Sequence, residues 1–197
     1  MKQIVYLVFS LFLIVSCKTK TEFKKIDFES FEITVPQNWN KFEMKGIDSY
    51  VGGIITEQKD TLIFDIGLYS GDVMKHDFPL VYDKTGYAEL SKKEKELLKK
   101  AKHLVVDSIS GDIDFKKYLT QKFVMQKIDC FQGKLITPIN KEFGTTGLYI
   151  DSLKGSKKEF NKTTMSFYGQ NLKEKTEKEF IEALKTIKFK GYCNEAN

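Results

Sequence analysis

At 197 residues the chain is long enough to bury a core of its own, and 41% hydrophobic with 13% aromatic residues excludes a disordered polypeptide. The net charge of +5 is the balance of 32 basic and 27 acidic residues, scattered in runs such as Lys92-Lys93-Glu94-Lys95-Glu96. Mixed runs of this kind mark a solvated face rather than a concentrated basic patch, which argues against a nucleic-acid partner.

The chain opens with a short positive start, Met1-Lys2-Gln3, and an apolar run from Ile4 to Val15 broken only by Ser10. A spanning helix needs about 20 apolar residues, so this run reads as the hydrophobic stretch of a removable signal peptide, residues 1–16. Ile14-Val15-Ser16-Cys17 resembles the lipobox of bacterial lipoproteins, in which the cysteine is acylated and becomes the new N-terminus. The resemblance implies lipidation (palmitate among the acyl chains) at Cys17 and a membrane as partner. At about 0.8 kcal/mol per buried methylene, more than one acyl chain makes the anchor stable without a transmembrane helix. Lys18 stands where inner-membrane retention uses an aspartate, and no acidic cluster follows. By the family's sorting rules this implies a cell-envelope protein on the outer membrane, facing the periplasm. Residues 17–22 then form a tether reaching on the order of 20 Å, and residues 23–197 form one domain.

Along that domain, Phe31-Glu32-Ile33-Thr34-Val35 alternates apolar and polar residues before Pro36, as a half-buried strand does. Trp39 follows a polar turn and reads as a core residue. Ser49 to Glu57 and Thr61 to Tyr69 repeat the alternation, with Lys59-Asp60 between them, predicting an antiparallel hairpin. Gly52-Gly53 in the first of these strands reads as a bulge or a close approach of strands, since no lysine, serine or helix start follows to make a phosphate loop. Ser91-Lys92-Lys93-Glu94 has the form of a capping box, and Leu90, Leu97, Leu98, Ala101 and Leu104 fall near one apolar stripe, predicting a helix against the sheet that closes near His103. Further strands are expected from Leu104 and over 122–130, 134–137, 147–153 and 162–168. Thr176-Glu177-Lys178-Glu179 reads as a second capping box, ahead of Phe180, Ile181, Leu184 and Ile187 on a last amphipathic helix, with a short strand at 187–190.

Strands outnumber helices and short turns favour hairpins over crossovers, which predicts an α+β fold: an antiparallel sheet with amphipathic helices on one face. Phe31-x-Ile33-x-Val35-Pro36-x-x-Trp39 and the closing Phe180-Ile181-x-x-Leu184-x-x-Ile187 resemble the opening and end of PsbP/Mog1-like domains. Gly46-Ile47-Asp48-Ser49-Tyr50 and Phe64-Asp65-Ile66-Gly67-Leu68-Tyr69-Ser70 resemble segments of uncharacterised Bacteroidota lipoproteins. PsbP/Mog1-like domains generally act as binding subunits, so the resemblance implies a non-enzymatic binding or accessory role.

Once Cys17 is lipidated, Cys130 and Cys193 remain as an even pair in an oxidising compartment. They are either one disulfide, contributing about 4 kcal/mol at most through loop closure, or two buried thiols. No histidine or CxxC spacing supports zinc or redox chemistry, and no metal or cofactor is implied. His76 lies in the polar stretch Gly71-Asp72-Val73-Met74-Lys75-His76-Asp77 at no ligand spacing, and His103 reads as a helix C-terminal residue. No G-x-S-x-G turn occurs, and Asp112-Ile113-Asp114 lacks the rest of a calcium loop. The residues that break the core pattern are Asp48, Tyr50, Asp65 and Tyr69, and two readings are open: they share a polar, aromatic sheet face able to bind an envelope protein or a ligand, or that face simply meets solvent and Asp65 hydrogen-bonds a neighbouring loop. The competing reading is a hydrolase of envelope material whose carboxylates, Asp48, Asp65 or Asp151, meet in a deep pocket.

Overall fold

A computed structural model of the chain describes residues 22–76, 80–99, 103–107, 109, 118–155 and 161–193. Residues 1–16, Cys17, the tether up to residue 21, Asp77 and Asp112-Ile113-Asp114 lie outside the described residues. In chain order the first strands are β1 (Phe23–Asp27), β2 (Phe31–Pro36), β3 (Asn40–Glu43), β4 (Ser49–Ile55) and β5 (Thr61–Gly67). After a 3-10 turn, Val73–His76, come β6 (Leu80–Asp83), helices α1 (Lys84–Glu89) and α2 (Lys92–Leu98), and β7 (His103–Val106). The chain continues through β8 (Gln121–Ile128), β9 (Phe131–Pro138), β10 (Thr145–Lys154), β11 (Thr163–Gln170), α3 (Glu174–Lys185) and β12 (Lys188–Phe189).

The molecule is mixed α+β with mostly antiparallel sheets. One sheet has the order β1-β2-β12, and a seven-stranded sheet runs β3-β4-β5-β11-β10-β9-β8. Strict alternation fixes the faces of the larger sheet. One transverse row, aligned by strand register, runs Phe64, Phe167, Leu148 and Leu135, and the next runs Ile66, Met165 and Ile150. All of these are buried in the main core, together with Phe28, Phe31, Trp39 and Phe180. Phe64 is the hub: its ring centroid lies 4.8 Å from Phe28, 5.1 Å from Phe31 and 5.7 Å from Phe167, within the range where edge-to-face aromatic pairs attract. Helix α3 closes this core against β2, β8 and β10.

Gly52 and Gly53 serve close packing. The β4–β5 register runs unbroken from Ser49 opposite Gly67 to Ile55 opposite Thr61, and an added Cβ would stand 2.9 Å from a Phe64 ring carbon at Gly52 and 2.2 Å from the Leu62 carbonyl at Gly53. The first capping box forms as expected: the Glu94 N–H donates to Ser91 Oγ at 3.3 Å and the Ser91 N–H to Glu94 Oε2 at 2.8 Å.

Three expectations are corrected. The second capping box does not form. Helix α3 begins at Glu174 behind Lys173, which gives no side-chain cap, because Thr176 lies on the same stripe as Phe180, Ala183 and Leu184 and is drawn into the core with them. His103 does not close a helix: it starts β7, with its ring stacked on Tyr87 at 5.4 Å and 9°. The connections also include a crossover. Strands β6 and β7 pair in parallel, Leu80 opposite His103, which requires an intervening segment of a dozen or more residues, here carrying α1 and α2. Helix α1 packs on β6 and β7.

Cys130 and Cys193 form a disulfide with Cα atoms 5.7 Å apart. Beside it Asp129, at φ 54° in the β8–β9 turn, accepts from the Phe189 N–H at 3.0 Å and from Lys188 Nζ at 2.9 Å. Burial opposes the charged form of Asp129, but Lys188 and the Phe189 N–H outweigh it and hold the carboxyl below the usual range.

Candidate functional site

The other face of the seven-stranded sheet follows from the same alternation, one residue out of step. Its central row, again by register, is Val51, Asp65, Ser166, Tyr149, Lys134 and Met125. The row beside it is Gly53, Ile63, Tyr168, Gly147, Ile136 and Phe123. Hydroxyl, carboxylate, phenol and ammonium groups thus stand where the opposite face carries phenylalanine and leucine.

The segment after β5 crosses this face and satisfies much of it. Ser70 Oγ donates to the Asp65 carbonyl at 2.8 Å and lies 3.1 Å from Ser166 Oγ, while Thr164 Oγ1 donates to the Ser70 carbonyl at 2.7 Å. The Asp72 side chain is only 3% exposed. One of its oxygens accepts from the Met74 N–H at 3.0 Å and the other from Lys134 Nζ at 2.5 Å. Lys134 Nζ also lies over the rings of Phe123, at 5.2 Å, and Tyr149, at 5.7 Å, so its charge is held by one carboxylate and two aromatic faces. The Tyr149 hydroxyl donates to Asp151 at 3.1 Å. Burial, aided by Asp151, keeps the Tyr149 phenol well above its ordinary value and therefore protonated. Lys162, 2.5 Å from Asp151, holds that carboxyl below the usual range.

This network is a structural clamp. Asp72 with Lys134 and Asp151 with Lys162 are committed ion pairs, and the hydroxyls of Ser70 and Ser166 are buried against each other. Asp65 Oδ1 is buried without a hydrogen-bond partner among the described residues.

Toward β8 the face opens. Phe123, Val124 and Met125 are 44%, 59% and 58% exposed, on the last strand of the sheet. Phe123 and Met125 continue the two rows above, whereas Val124 lies opposite Leu135 and continues the row of Phe64 on the core side. The apolar patch therefore wraps both sides of the sheet edge.

Two cavities adjoin these elements. A cleft of about 330 Å³ lies among Val73, Gln121, Phe143, Tyr168, Gln170 and Asn171. A groove of about 450 Å³ lies between Phe23, Thr34 and the α3 residues Glu179, Ala183 and Thr186. Neither is lined by Asp48, Asp65 or Asp151.

The four residues expected to share a face do not. Val51 is opposite Asp65 and Tyr50 opposite Ile66, so Tyr50 belongs to the core side. There its ring packs on Phe64 at 5.1 Å and its hydroxyl accepts from the Glu29 N–H at 3.1 Å. Asp65 alone lies on the outer face, Asp48 is exposed just ahead of β4, and Tyr69 is 79% exposed beyond the end of β5. Period-two alternation separates neighbours such as Asp65 and Ile66 with certainty, but which residues of two strands share a side depends on register. Asp72 takes Lys134. Asp129, Cys130 and Cys193 bring three potential ligand atoms within 4.8 Å, but the two sulfurs are bonded to each other. Of the residues missed, Phe123-Val124-Met125 had a signal: three consecutive apolar residues where a strand should alternate. The pairing of Asp72 with Lys134, 62 positions away, had none.

No protein-family model and no curated protein matches the chain. Among the described residues no helix is long and apolar enough to cross a membrane.

Proposed function

We propose that this chain is a lipid-anchored binding or accessory module of the bacterial cell envelope, acylated at Cys17 and docking a protein partner through the β8 edge. The observation that carries this reading is the Phe123-Val124-Met125 patch, an exposed apolar surface on a sheet edge that no strand among the described residues pairs with. Exposed apolar surface of this kind is the usual mark of a protein contact. Two of the carboxylates named for a hydrolase favour binding over hydrolysis: Asp151 is tied to Lys162 and Tyr149, Asp48 is exposed, and neither of the two cavities described is lined by them. Antiparallel sheets with α3 laid across them support a PsbP/Mog1-like arrangement of residues 23–197, and the lipobox resemblance supports the outer membrane, periplasmic side.

The test is isolation of the full-length protein from its membrane in mild detergent, with mass spectrometry of the N-terminus and of whatever copurifies. An acylated Cys17 at the mature N-terminus is expected, with a stoichiometric partner that is lost in Cys17→Ala and in Val124→Lys. Recovery of the wild-type protein alone sinks the docking reading, and an unmodified Cys17 sinks the anchor.

A further inference from the structure

We propose that strand β8 is completed by an extended segment of a different protein, apolar at its centre and carrying carboxylates five positions apart. This inference rests on the docking reading and names the partner's chemistry.

The two edges of the seven-stranded sheet are built differently. At one edge β3 is short, only Asn40–Glu43, with its charges paired across Lys41 and Glu43 at 2.9 Å. A short charged strand is how an edge is protected from pairing with another chain. At the other edge β8 runs eight residues, Gln121–Ile128, in unbroken register with β9 and without bulge or proline. Among the described residues no strand pairs with its outer side. Such an edge presents its outward backbone donors and acceptors to an added strand, with the Lys127 carbonyl taken only by a 3.4 Å bond from the Gln126 side chain, while exposed side chains on alternate faces select its sequence.

Lys122 and Lys127 bracket the apolar patch. Neither makes a direct ion pair among the described residues, although the charge of Lys127 adds to that of Lys188 in favouring the charged form of Asp129, in contrast to Lys134 one strand inward, which is committed to Asp72. Their separation of five positions puts them on opposite faces, about 17 Å apart along the strand. Lys122 shares its face with Val124, and Lys127 shares its face with Phe123 and Met125. A partner strand with carboxylates at its first and sixth positions meets both lysines at once, with its four central residues over Phe123, Val124, Met125 and Gln126.

The same lysines disfavour a second copy of this chain. Antiparallel self-pairing of β8 centred on Val124 sets Lys122 opposite Gln126 and Lys127 opposite Gln121, so neither lysine meets a carboxylate, and a slip of one position that puts Lys122 opposite Lys127 sets like charges across the ladder twice.

The probe is the peptide Glu-Thr-Val-Val-Val-Glu, with Lys-Thr-Val-Val-Val-Lys as its counterpart. Each is titrated into the full-length protein in detergent and followed by NMR shifts of the β8 amides. The glutamate peptide is expected to bind on the order of tenfold more tightly, the sum of two attractive against two repulsive cross-strand pairs, with a preference that weakens in salt. Lys122→Glu with Lys127→Glu is expected to invert the order, and Val124→Lys to abolish binding of both with the melting curve unchanged. Equal or inverted preference in the wild type overturns the carboxylate partner while the docking reading stands. Binding of neither peptide, with an envelope partner that survives Val124→Lys, overturns both the partner's chemistry and the edge. A wild-type dimer dissociated by Val124→Lys overturns the inference in favour of a second copy.

Discussion

The two faces of the seven-stranded sheet are one residue out of step with each other and are held by different physics. On the core face, Phe64, Phe167, Leu148 and Leu135 are buried side by side, and the non-directional attraction of apolar surfaces dominates. On the outer face, Asp65, Ser166, Tyr149 and Lys134 occupy the adjoining row, where Ser166, Tyr149 and Lys134 contribute through specific partners. The lesson is that the first face tolerates exchange of shape and fails through cavities. The second fails when one member of a pair is removed and the other is left buried.

Substitutions of graded severity sharpen that contrast. Phe64→Ala should have the largest effect, about 3–5 kcal/mol from a hub residue with no exposure, read as a fall in the denaturant midpoint at unchanged slope. On the outer face Lys134→Met should lose about 2 kcal/mol because Asp72 is left buried and unpaired, less than for a fully enclosed pair since Lys134 is part-exposed. Adding Asp72→Asn to that variant should restore much of the loss. A double-mutant cycle by urea denaturation decides it, and strictly additive losses would break the distinction between the faces.

Acid should separate the polar contacts from the core. The depressed carboxyl of Asp129 contributes stability that is full above the unfolded aspartate value of about 4 and is lost as pH falls through the folded value. Asp129→Asn should therefore be about 1 kcal/mol less stable near neutrality, with the two stability curves converging in acid as charge ceases to matter. Parallel curves would remove Asp129 from the contacts holding β12. The smallest effect belongs to the exposed edge: Val124→Thr should change stability by less than about 0.5 kcal/mol, measured as the shift in melting temperature. A large loss would mean that Val124 is part of the core it merely continues.

Much of the fold is legible in the chain. Alternation locates β2, β4 and β5, the long strands β8 to β11 fall close to the expected segments, and Ser91 with Glu94 forms the box that their spacing requires. Polar strands escape that reading: β1 and β3, with Lys24, Lys25 and Lys41, have no apolar period to announce them and are strands because a neighbour supplies the ladder. Helix α3 shows the same priority of packing over local signals, since Thr176 has the sequence of a cap and the position of a core residue.

The candidate site divides along the same line. Local order in the chain determined which residues alternate, that Phe123-Val124-Met125 breaks the alternation, and that lysines flank it, because these depend only on neighbours in sequence. Strand register decided that Tyr50 and Asp65 face opposite ways. Strand order decided that β8 rather than β10 is an edge. The folded chain alone brought Lys134 to Asp72 and Cys193 to Cys130. Contacts between residues 62 or 63 positions apart are set by which strands pair, and pairing is chosen by the burial of a whole face at once rather than by any local signal.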